Sequence, residues 1–227
     1  MILAAHQPAY LPWLGYFDRI ARADLFVYLD TVQFEKNSFI NRNRIKTPHG
    51  EQWLTVPVRV KGHMSSTLRD TQTDPTQPWR VKHLKSIAMN YSRATYFRRL
   101  LPRLEALLSV EESHLADLCF IQLRLWLEEL GLATKVIRSS ELAVSSTKSD
   151  LILELCRLLG ATCYLSGTLG REYLVEKDFR DAGVDIEYHE FKHPTYPQLW
   201  GEFLPNLSVV DCWMNCGSGI RSLLGVK

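Results

Sequence analysis

A strand–helix–strand unit at the start of the chain constrains the fold more than any other sequence feature. Residues 2–5 form an apolar run of strand length that ends at a polar loop. Residues 13–23 carry apolar side chains at helical spacing, and residues 25–29 form a second apolar run. Two strands joined through a helix pair in parallel, because a crossover returns the chain to the same end of the sheet. The unit therefore predicts an α/β protein with a parallel sheet.

The same strand and helix pattern returns in the second half of the chain. We predict strands over residues 135–138, 162–165 and 185–189, and helices over residues 149–159, 171–182 and 208–215. Both ends of the chain then complete one Rossmann-like parallel sheet.

Two further segments are expected to be added to this sheet. Residues 37–47 and 51–60 are strand-like around a Pro-His-Gly turn, which predicts a β-hairpin attached to the sheet. Residues 79–131 read as three helices and predict a helical insertion. We expect residues 1–227 to form a single α/β domain.

Composition excludes several classes of protein. A net charge of +2 over 227 residues disfavours a dedicated nucleic-acid binder, which is usually strongly basic. No apolar run approaches the ~20 residues of a membrane span, and the first residues lack the pattern of a signal peptide. Five cysteines without a disulfide spacing fit reduced thiols. We therefore expect a cytoplasmic protein.

Three polar segments follow predicted strands, where parallel sheets bind their ligands. His6 is a candidate general base or phosphate ligand near neutral pH, or else a structural residue of the proline-rich turn. The other candidates are Gln7 and Tyr10 in the same loop, Asp30 and Gln33 after the second strand, and Ser166, Gly167, Gly170, Arg171 and Tyr173 after a later strand.

The segment from Asn41 to Lys46 is the most unusual stretch of the chain. In a strand, Arg42, Arg44 and Lys46 share one face, which suits a phosphate or a carboxylate. Asn41 and Asn43 on the opposite face could bind a sugar, an amide or a base. The alternative is a solvated edge strand whose charges prevent aggregation.

The loop from Ser166 to Arg171 has two readings. Its glycines let backbone approach a ligand, and the following helix N-terminus favours an anion, but an ordinary tight turn has the same composition. Later in the chain, Tyr196 and Gln198 lie in a proline-rich loop and are candidate binding residues. Asp211 is a candidate catalytic residue that could accept a substrate amine or hydroxyl, or else a helix cap.

A metal site is not expected. His189 and His193 are spaced by four residues, as are Cys212 and Cys216, which gives four zinc-type ligands. A proline disrupts the first pair, and the second lies in an apolar helix where small hydrophobic residues are common. The sequence identifies no cofactor.

The motifs at both ends of the chain resemble those of the WbqC-like protein family. They are residues 6–17, 23–24, 27–34 and 41–46, then 159–161, 164–167, 171–174, 196–198 and 207–211. Members of that family occur in bacterial O-antigen and other surface-polysaccharide clusters. The resemblance implies a group-transfer enzyme of polysaccharide biosynthesis, with aminoacyl (glycine) or acyl transfer to a nucleotide- or lipid-linked sugar as one proposal.

The first thirty residues also resemble, more distantly, the start of the nucleotidylyltransferase-like fold. A histidine-rich loop binds triphosphate in that fold, whereas this loop has His6 alone. A nucleotidylyltransferase-like enzyme that activates a small substrate with ATP or CTP, and a non-catalytic sugar-nucleotide-binding protein, are the alternatives. Each takes a small phosphate-bearing or sugar-linked ligand, and the sequence leaves open the oligomeric state and whether residues 61–78 close over the ligand.

Overall fold

In a computed structural model, which describes residues 1–36, 38–59 and 66–225, five parallel strands form the central sheet. The strands are β1 (Ile2–His6), β2 (Leu25–Tyr28), β5 (Lys135–Arg138), β6 (Cys163–Ser166) and β7 (Asp185–Tyr188). They lie in the order β5-β2-β1-β6-β7. Each strand runs parallel to its neighbours, with Leu3 opposite Leu25 on one side and Tyr164 on the other. The predicted parallel sheet, completed by both halves of the chain, is confirmed.

The strand order locates a topological switch point. The chain builds the sheet outward from β1 through β2 to β5, then returns to add β6 and β7 on the other side. In open parallel sheets, the crevice where the direction reverses is the usual ligand site. Here it lies between the carboxyl ends of β1 and β6.

Helix α1 (Leu14–Arg22) joins β1 to β2 and lies almost wholly inside the protein. Tyr16, Phe17 and Ile20 are at most 1% exposed and pack in the core, at the helical spacing that predicts the element. Two further helices follow strands of the sheet, α5 (Lys148–Leu159) after β5 and α6 (Glu176–Asp181) after β6.

The hairpin forms a two-stranded sheet of its own. Strands β3 (Arg42–Thr47) and β4 (Gly50–Thr55) pair antiparallel, with Arg42 opposite Thr55. The added β-hairpin is therefore confirmed as an element, but within the described ranges neither of its strands pairs with the central sheet. The hairpin is held instead by side chains, because Asn43 Nδ2 donates to the Leu11 carbonyl oxygen at 2.7 Å.

Helices α2 (Trp79–Tyr91), α3 (Phe97–Ser109) and α4 (Leu115–Leu130) occupy the segment predicted to be helical. Their buried residues belong to the same apolar cluster as α1 and α7 (Val209–Cys216), and Trp126 meets Trp213 at 5.1 Å between ring centroids. Helix α4 buries Leu115, Leu118, Cys119 and Trp126, whereas Leu125 is 37% exposed.

Two elements differ from the sequence prediction. Residues 168–172 form a 3₁₀ turn, closed by Gly170 N–H donating to the Gly167 carbonyl at 2.9 Å, so α6 is shorter than predicted. Helix α8 (Ile220–Leu223) was not predicted, because one turn is too short to show periodicity.

Residues 66–78 run between other elements of the structure. Leu68 N–H donates to the Val32 carbonyl, and Thr73 N–H donates to the Ser113 carbonyl, both at 2.8 Å. Residues 61–65 of the predicted loop lie outside the described residues.

Among the described helices, none has the length and apolar character needed to cross a bilayer.

Candidate functional site

The switch-point crevice brings together residues from both ends of the chain. His6 is the last residue of β1, and Ser166 is the last residue of β6, which pairs directly with β1. Gln7 follows the first strand, and Gly167 follows the second. The structure therefore gathers the loop after β1 and the loop after β6 at the carboxyl edge of the sheet. The third polar segment singled out from the sequence begins at the same edge, because Tyr28 at the end of β2 lies opposite His6.

His6 has the hydrogen bonding of a neutral base. Its Nδ1 lies 2.8 Å from the Gln7 carbonyl oxygen, which can only accept, so Nδ1 carries the proton and Nε2 the lone pair. Nε2 has no hydrogen-bond partner among the described residues. The half-buried ring lies 5.0 Å from the Tyr16 ring and 5.7 Å from the Trp13 ring. Burial, and then the positive charge of Arg19, lower the pKa of His6 to about 3.

Arg19 of α1 is the residue that the sequence reading missed. It is 6% exposed, and it forms no hydrogen bond or ion pair with any residue that the structure describes. The groups that act on its charge are the phenols of Tyr164, Tyr16 and Tyr173, all uncharged near neutral pH. Its position in the helix could have indicated that it is buried, since Arg19 follows Tyr16 by three residues and directly precedes Ile20 on the buried face.

Two positions in the loop after β6 require glycine, because a neighbouring side chain lies too close to each of them for a Cβ atom to fit. A Cβ atom built at Gly167 would lie 2.5 Å from Arg19 Nη1, and one built at Gly170 would lie 1.9 Å from Ser166 Oγ. Ser166 Oγ donates to the Gly167 carbonyl at 3.0 Å. The first glycine therefore leaves room for the guanidinium, and the second leaves room for the serine hydroxyl.

The rest of this loop is more exposed. Arg171 lies 3.9 Å from the Tyr188 ring centroid and 3.7 Å from Glu190. Tyr173 is 42% exposed, and its hydroxyl is close enough to Arg19 for the cation to act on its pKa. Tyr173 thus belongs to the crevice, whereas Arg171 lies on the surface beside it.

An aromatic path leads from the crevice to the hairpin. Ring centroids are 5.7 Å apart for His6 and Trp13, 5.5 Å for Trp13 and Phe39, and 5.6 Å for Phe39 and Trp53. We call Trp13, Phe39 and Trp53 the aromatic ledge. Arg42 stacks on Trp53, with Cζ 4.2 Å from the ring centroid.

The remaining residues of the β3 segment are engaged with the protein. Arg44 Nη1 pairs with Glu51 at 2.6 Å. Asn41 and Asn43 are buried, and their side-chain amides donate to backbone carbonyls, that of Asn41 to Val56 at 2.8 Å. Asn41 therefore closes the base of the hairpin, and Asn43 fixes the hairpin to the loop after β1. Arg42 and Arg44 are the cations that the hairpin presents beside the ledge.

Asp211 lies in a separate buried network. It is 0% exposed, and its carboxylate accepts from Tyr91 Oη at 2.7 Å, Tyr196 Oη at 2.8 Å and Gln198 Nε2 at 2.9 Å. Lys46 Nζ donates to Gln198 Oε1 at 3.0 Å. Burial raises the pKa of Asp211 above its ordinary value, although these hydrogen bonds oppose the shift. The arrangement leaves Asp211 no exposed surface for a substrate.

Asp30 is likewise surrounded by protein groups. Its fully buried carboxylate accepts from Ser139 Oγ at 2.9 Å and Ser140 Oγ at 2.7 Å, and it pairs with Arg138 Nη2 at 2.7 Å. Burial alone would raise the pKa of Asp30, but these hydrogen bonds lower it below its ordinary value. Asp30 therefore ties the end of β2 to the segment after β5.

The contacts of Tyr10 and Gln33 are with residues outside the crevice. Tyr10 is fully buried, and its hydroxyl lies 2.8 Å from His83 Nδ1. Gln33 is exposed and forms a backbone bridge with Thr67.

The spacing of histidines and cysteines does not assemble four ligands. His189 Nε2 lies 2.6 Å from Asp18 Oδ2, and His193 Nδ1 lies 2.9 Å from the Pro194 carbonyl, so the two rings bind different partners. Another group of three donors, Glu112, His114 and Asp117, has its ligand atoms within 4.8 Å of one another. Asp117 already pairs with Arg138 at 2.6 Å.

An open cavity of about 950 Å³ lies beside the end of α1 and the start of β5. Its lining includes Arg22, Leu132, Lys192 and Leu224 and none of the crevice residues. We place the candidate site at the crevice because the unpaired polar groups and the neutral histidine converge there.

The chain is similar to known proteins over nearly its whole length. The sequence profile of the WbqC-like protein family matches residues 7–222. The uncharacterized protein Rv1507c of Mycobacterium tuberculosis is 36% identical over 220 residues, which cover 95% of this chain and 94% of that protein. No solved structure matches the chain significantly. The chain therefore belongs to the WbqC-like protein family.

Proposed function

We propose that the chain is a group-transfer enzyme whose reaction takes place in the crevice between β1 and β6, with His6 as general base. The observation that carries the proposal is the state of His6, which is neutral, oriented by the Gln7 carbonyl and free at Nε2. A general base needs this lone pair within reach of an acceptor proton.

The chemistry of such a site is transfer of an acyl or aminoacyl group. Nε2 of His6 takes the proton of the acceptor hydroxyl or amine while the acceptor attacks the acyl carbon. The same proton then passes to the leaving group as its bond to that carbon breaks. In the ligand-free protein the low pKa of His6 makes it a weak base, and a negatively charged ligand beside Arg19 would raise that pKa towards the working pH.

The aromatic ledge supports a sugar-linked acceptor. Its rings lead from His6 to Arg42, so a sugar ring can lie against apolar faces while its phosphate meets a cation. Membership of the WbqC-like family favours a role in bacterial surface-polysaccharide biosynthesis. In that role the enzyme would transfer glycine or another acyl group to a nucleotide- or lipid-linked sugar. Asp211 is left outside the reacting groups, because its carboxylate is enclosed.

A nucleotidylyltransferase-like activity is the second candidate. It is favoured by the strand order, which places a histidine-containing loop after β1 at the switch point. Such an enzyme would bind ATP or CTP with magnesium.

A ligand panel separates the two candidates. We would record thermal midpoints with ATP, CTP, nucleotide sugars, coenzyme A thioesters and glycine, each with and without magnesium. A ligand at about 100 times its dissociation constant stabilises by ~2.7 kcal/mol and moves the midpoint by roughly 5–10 °C. A magnesium-dependent shift with ATP or CTP alone favours nucleotidyl transfer, and a shift with a nucleotide sugar or thioester favours acyl transfer.

The role of His6 is tested on whichever reaction the panel identifies. We expect His6→Ala to lower kcat by roughly 10²- to 10⁴-fold, the usual contribution of a general base, with little change in ligand affinity. His49→Ala, which removes an exposed imidazole, is the matched control and should keep full activity. A His6→Ala enzyme with the turnover of the unmodified chain would refute the base role, and a variant that changed affinity alone would point to a binding protein without turnover.

A further inference from the structure

We infer that Arg19 binds one oxyanion group of the ligand, a carboxylate or a phosphate, in the crevice between β1 and β6. The inference rests on the proposed function only in identifying this crevice as the place where the ligand binds. It adds the charge class of the ligand and the residue that anchors it.

The first support is an unpaired buried cation. Arg19 is 6% exposed, its Nε is sealed from solvent, and it has no hydrogen-bond or ion-pair partner among the described residues. Buried charges in proteins are usually paired, because an unpaired one costs several kcal/mol of desolvation. A ligand oxyanion would supply the missing partner.

Nearby acidic residues do not supply that partner. Asp18 precedes Arg19 in the chain, but its carboxylate lies 2.9 Å from Arg22 Nε and 2.6 Å from His189 Nε2. The groups that face Arg19 are the phenols of Tyr16, Tyr164 and Tyr173, together with the neutral ring of His6. The site around the guanidinium therefore keeps one net positive charge.

A second unpaired polar atom lies near enough to the guanidinium for the two groups to influence each other electrostatically. The Tyr16 hydroxyl is buried and has no hydrogen-bond partner in the described part of the chain. Tyr16 and Arg19 are three residues apart on α1, which places them on the same face of the helix. A phenol and a guanidinium side by side are both donors, and both suit an oxyanion.

The guanidinium also reaches the loop that follows β6. Nη1 lies 2.5 Å from the position of a Cβ atom at Gly167, the residue that directly follows β6. Gly167 is half-buried, so the guanidinium lies beside a partly exposed residue of the proposed ligand site. An amino-acid carboxylate and a nucleotide-sugar phosphate carry the same chemistry here, and the test distinguishes them.

The test uses small anions on the full chain. Thermal midpoints are recorded with sodium acetate, methyl phosphate and sodium chloride at equal ionic strength, for the unmodified protein, Arg19→Met, Arg19→Lys and Arg22→Met. Arg22 is the matched control, because it lies on the same helix with its side chain 53% exposed. We expect acetate or methyl phosphate to raise the midpoint of the unmodified protein above the chloride value.

Arg19→Met should remove this response, with the apparent Kd of the anion rising at least roughly tenfold, while Arg22→Met keeps it. Arg19→Lys retains the charge and should show an intermediate response. Without anion, Arg19→Met should unfold at the same temperature as the unmodified protein or higher, because an unpaired charge has been removed.

Two results would overturn the inference. One is an anion response that is absent from the unmodified protein or is equal in Arg19→Met. The other is a lower midpoint of Arg19→Met without anion, which would assign Arg19 a structural pairing. His6→Ala separates this inference from the proposed function: it should keep the anion response, so normal turnover in that variant would reject the base role while leaving the Arg19 site in place.

Discussion

Ser166 is the last residue of β6, and its hydroxyl lies close to the Cα atom of Gly170. A Cβ atom at Gly170 would lie 1.9 Å from Ser166 Oγ and 3.1 Å from Leu174 Cδ1. Ser166 is buried, so its side chain has little room to move away from an added Cβ atom. We expect Gly170→Ala to lower the free energy of unfolding by about 1–3 kcal/mol through overpacking, as measured by urea denaturation.

The double variant Ser166→Ala/Gly170→Ala provides the control. It removes the closest atom, so most of the lost stability should return relative to Gly170→Ala, which gives a coupling that a double-mutant cycle measures. If Gly170→Ala were as stable as the unmodified protein, the close approach of Ser166 would not be a real constraint.

At this scale the sequence reveals some site residues and conceals others. His6 stands out because a polar residue follows an apolar strand directly. Arg19 does not, since a single cation within a helix usually points to solvent, and only tertiary packing shows that this one is buried. Asp211 looks like a candidate by type, but its enclosure by Tyr91, Tyr196 and Gln198 depends on contacts across 13 to 120 residues of chain.

At the scale of elements, Asp30 acts as a latch between two strands. It follows β2 and receives hydrogen bonds from Ser139 and Ser140, which follow β5, and it pairs with Arg138 at the end of β5. Removing one partner of a buried ion pair costs about 3–5 kcal/mol. We expect Asp30→Ala to lose stability in that range in urea denaturation, whereas Ala at the exposed Asp150 should change it little.

The latch should also depend on pH. The folded pKa of Asp30 lies below its ordinary value of 3.8, so the native state holds fewer protons than the unfolded state in that range. Its contribution is present above the unfolded pKa and is lost as pH falls through the folded pKa. The stability gap between the unmodified protein and Asp30→Ala should narrow as the pH falls below 3.8. A gap that stayed constant would show that the carboxylate charge is not what stabilises the latch.

Elements differ in how well local sequence predicts them. Strand β1 and helix α1 follow from apolar spacing alone, and their bounds agree with the prediction to within one residue. The hairpin is predicted as an element, but its position is not, because Asn43 holds it through the carbonyl of Leu11, which is distant in sequence. Residues 168–172 form a 3₁₀ turn rather than the start of α6, because the Gly170 contacts close a tighter turn.

At the scale of the whole molecule, the predicted sheet is confirmed because both halves of the chain carry the same strand and helix rhythm. The strand order follows from pairing across more than a hundred residues, as between Leu3 and Tyr164. No local pattern encodes that pairing. The position of the crevice therefore comes from the fold, which brings Gly167 close to Arg19 and His6 although it is distant from them in sequence.

The Asp211 network is a second link between distant parts of the chain. Lys46 comes from β3, Tyr91 ends α2, Gln198 lies in the proline-rich loop, and Asp211 lies in α7. Tyr91 Oη serves twice, since it donates to Asp211 and accepts from the Lys46 backbone N–H at 2.9 Å. The network therefore holds the hairpin and a helix of the middle segment against the last part of the fold.

Tyr91→Phe tests this link. A hydrogen bond to a charged group contributes about 1.5–3 kcal/mol, so we expect a stability loss of that size in urea denaturation near neutral pH. Tyr188→Phe removes an exposed hydroxyl that donates to Glu176, and it should change stability by less than about 0.5 kcal/mol.

The stability deficit of Tyr91→Phe should also depend on pH. Burial already raises the folded pKa of Asp211, and loss of the Tyr91 donor raises it further. The native variant then binds a proton at higher pH than the unfolded chain does, so its deficit should shrink as the pH is lowered from neutrality. A deficit that grew on acidification would mean that the Tyr91 bond stabilises the protonated form of Asp211, and a constant deficit would mean that Asp211 does not change its protonation over the pH range tested.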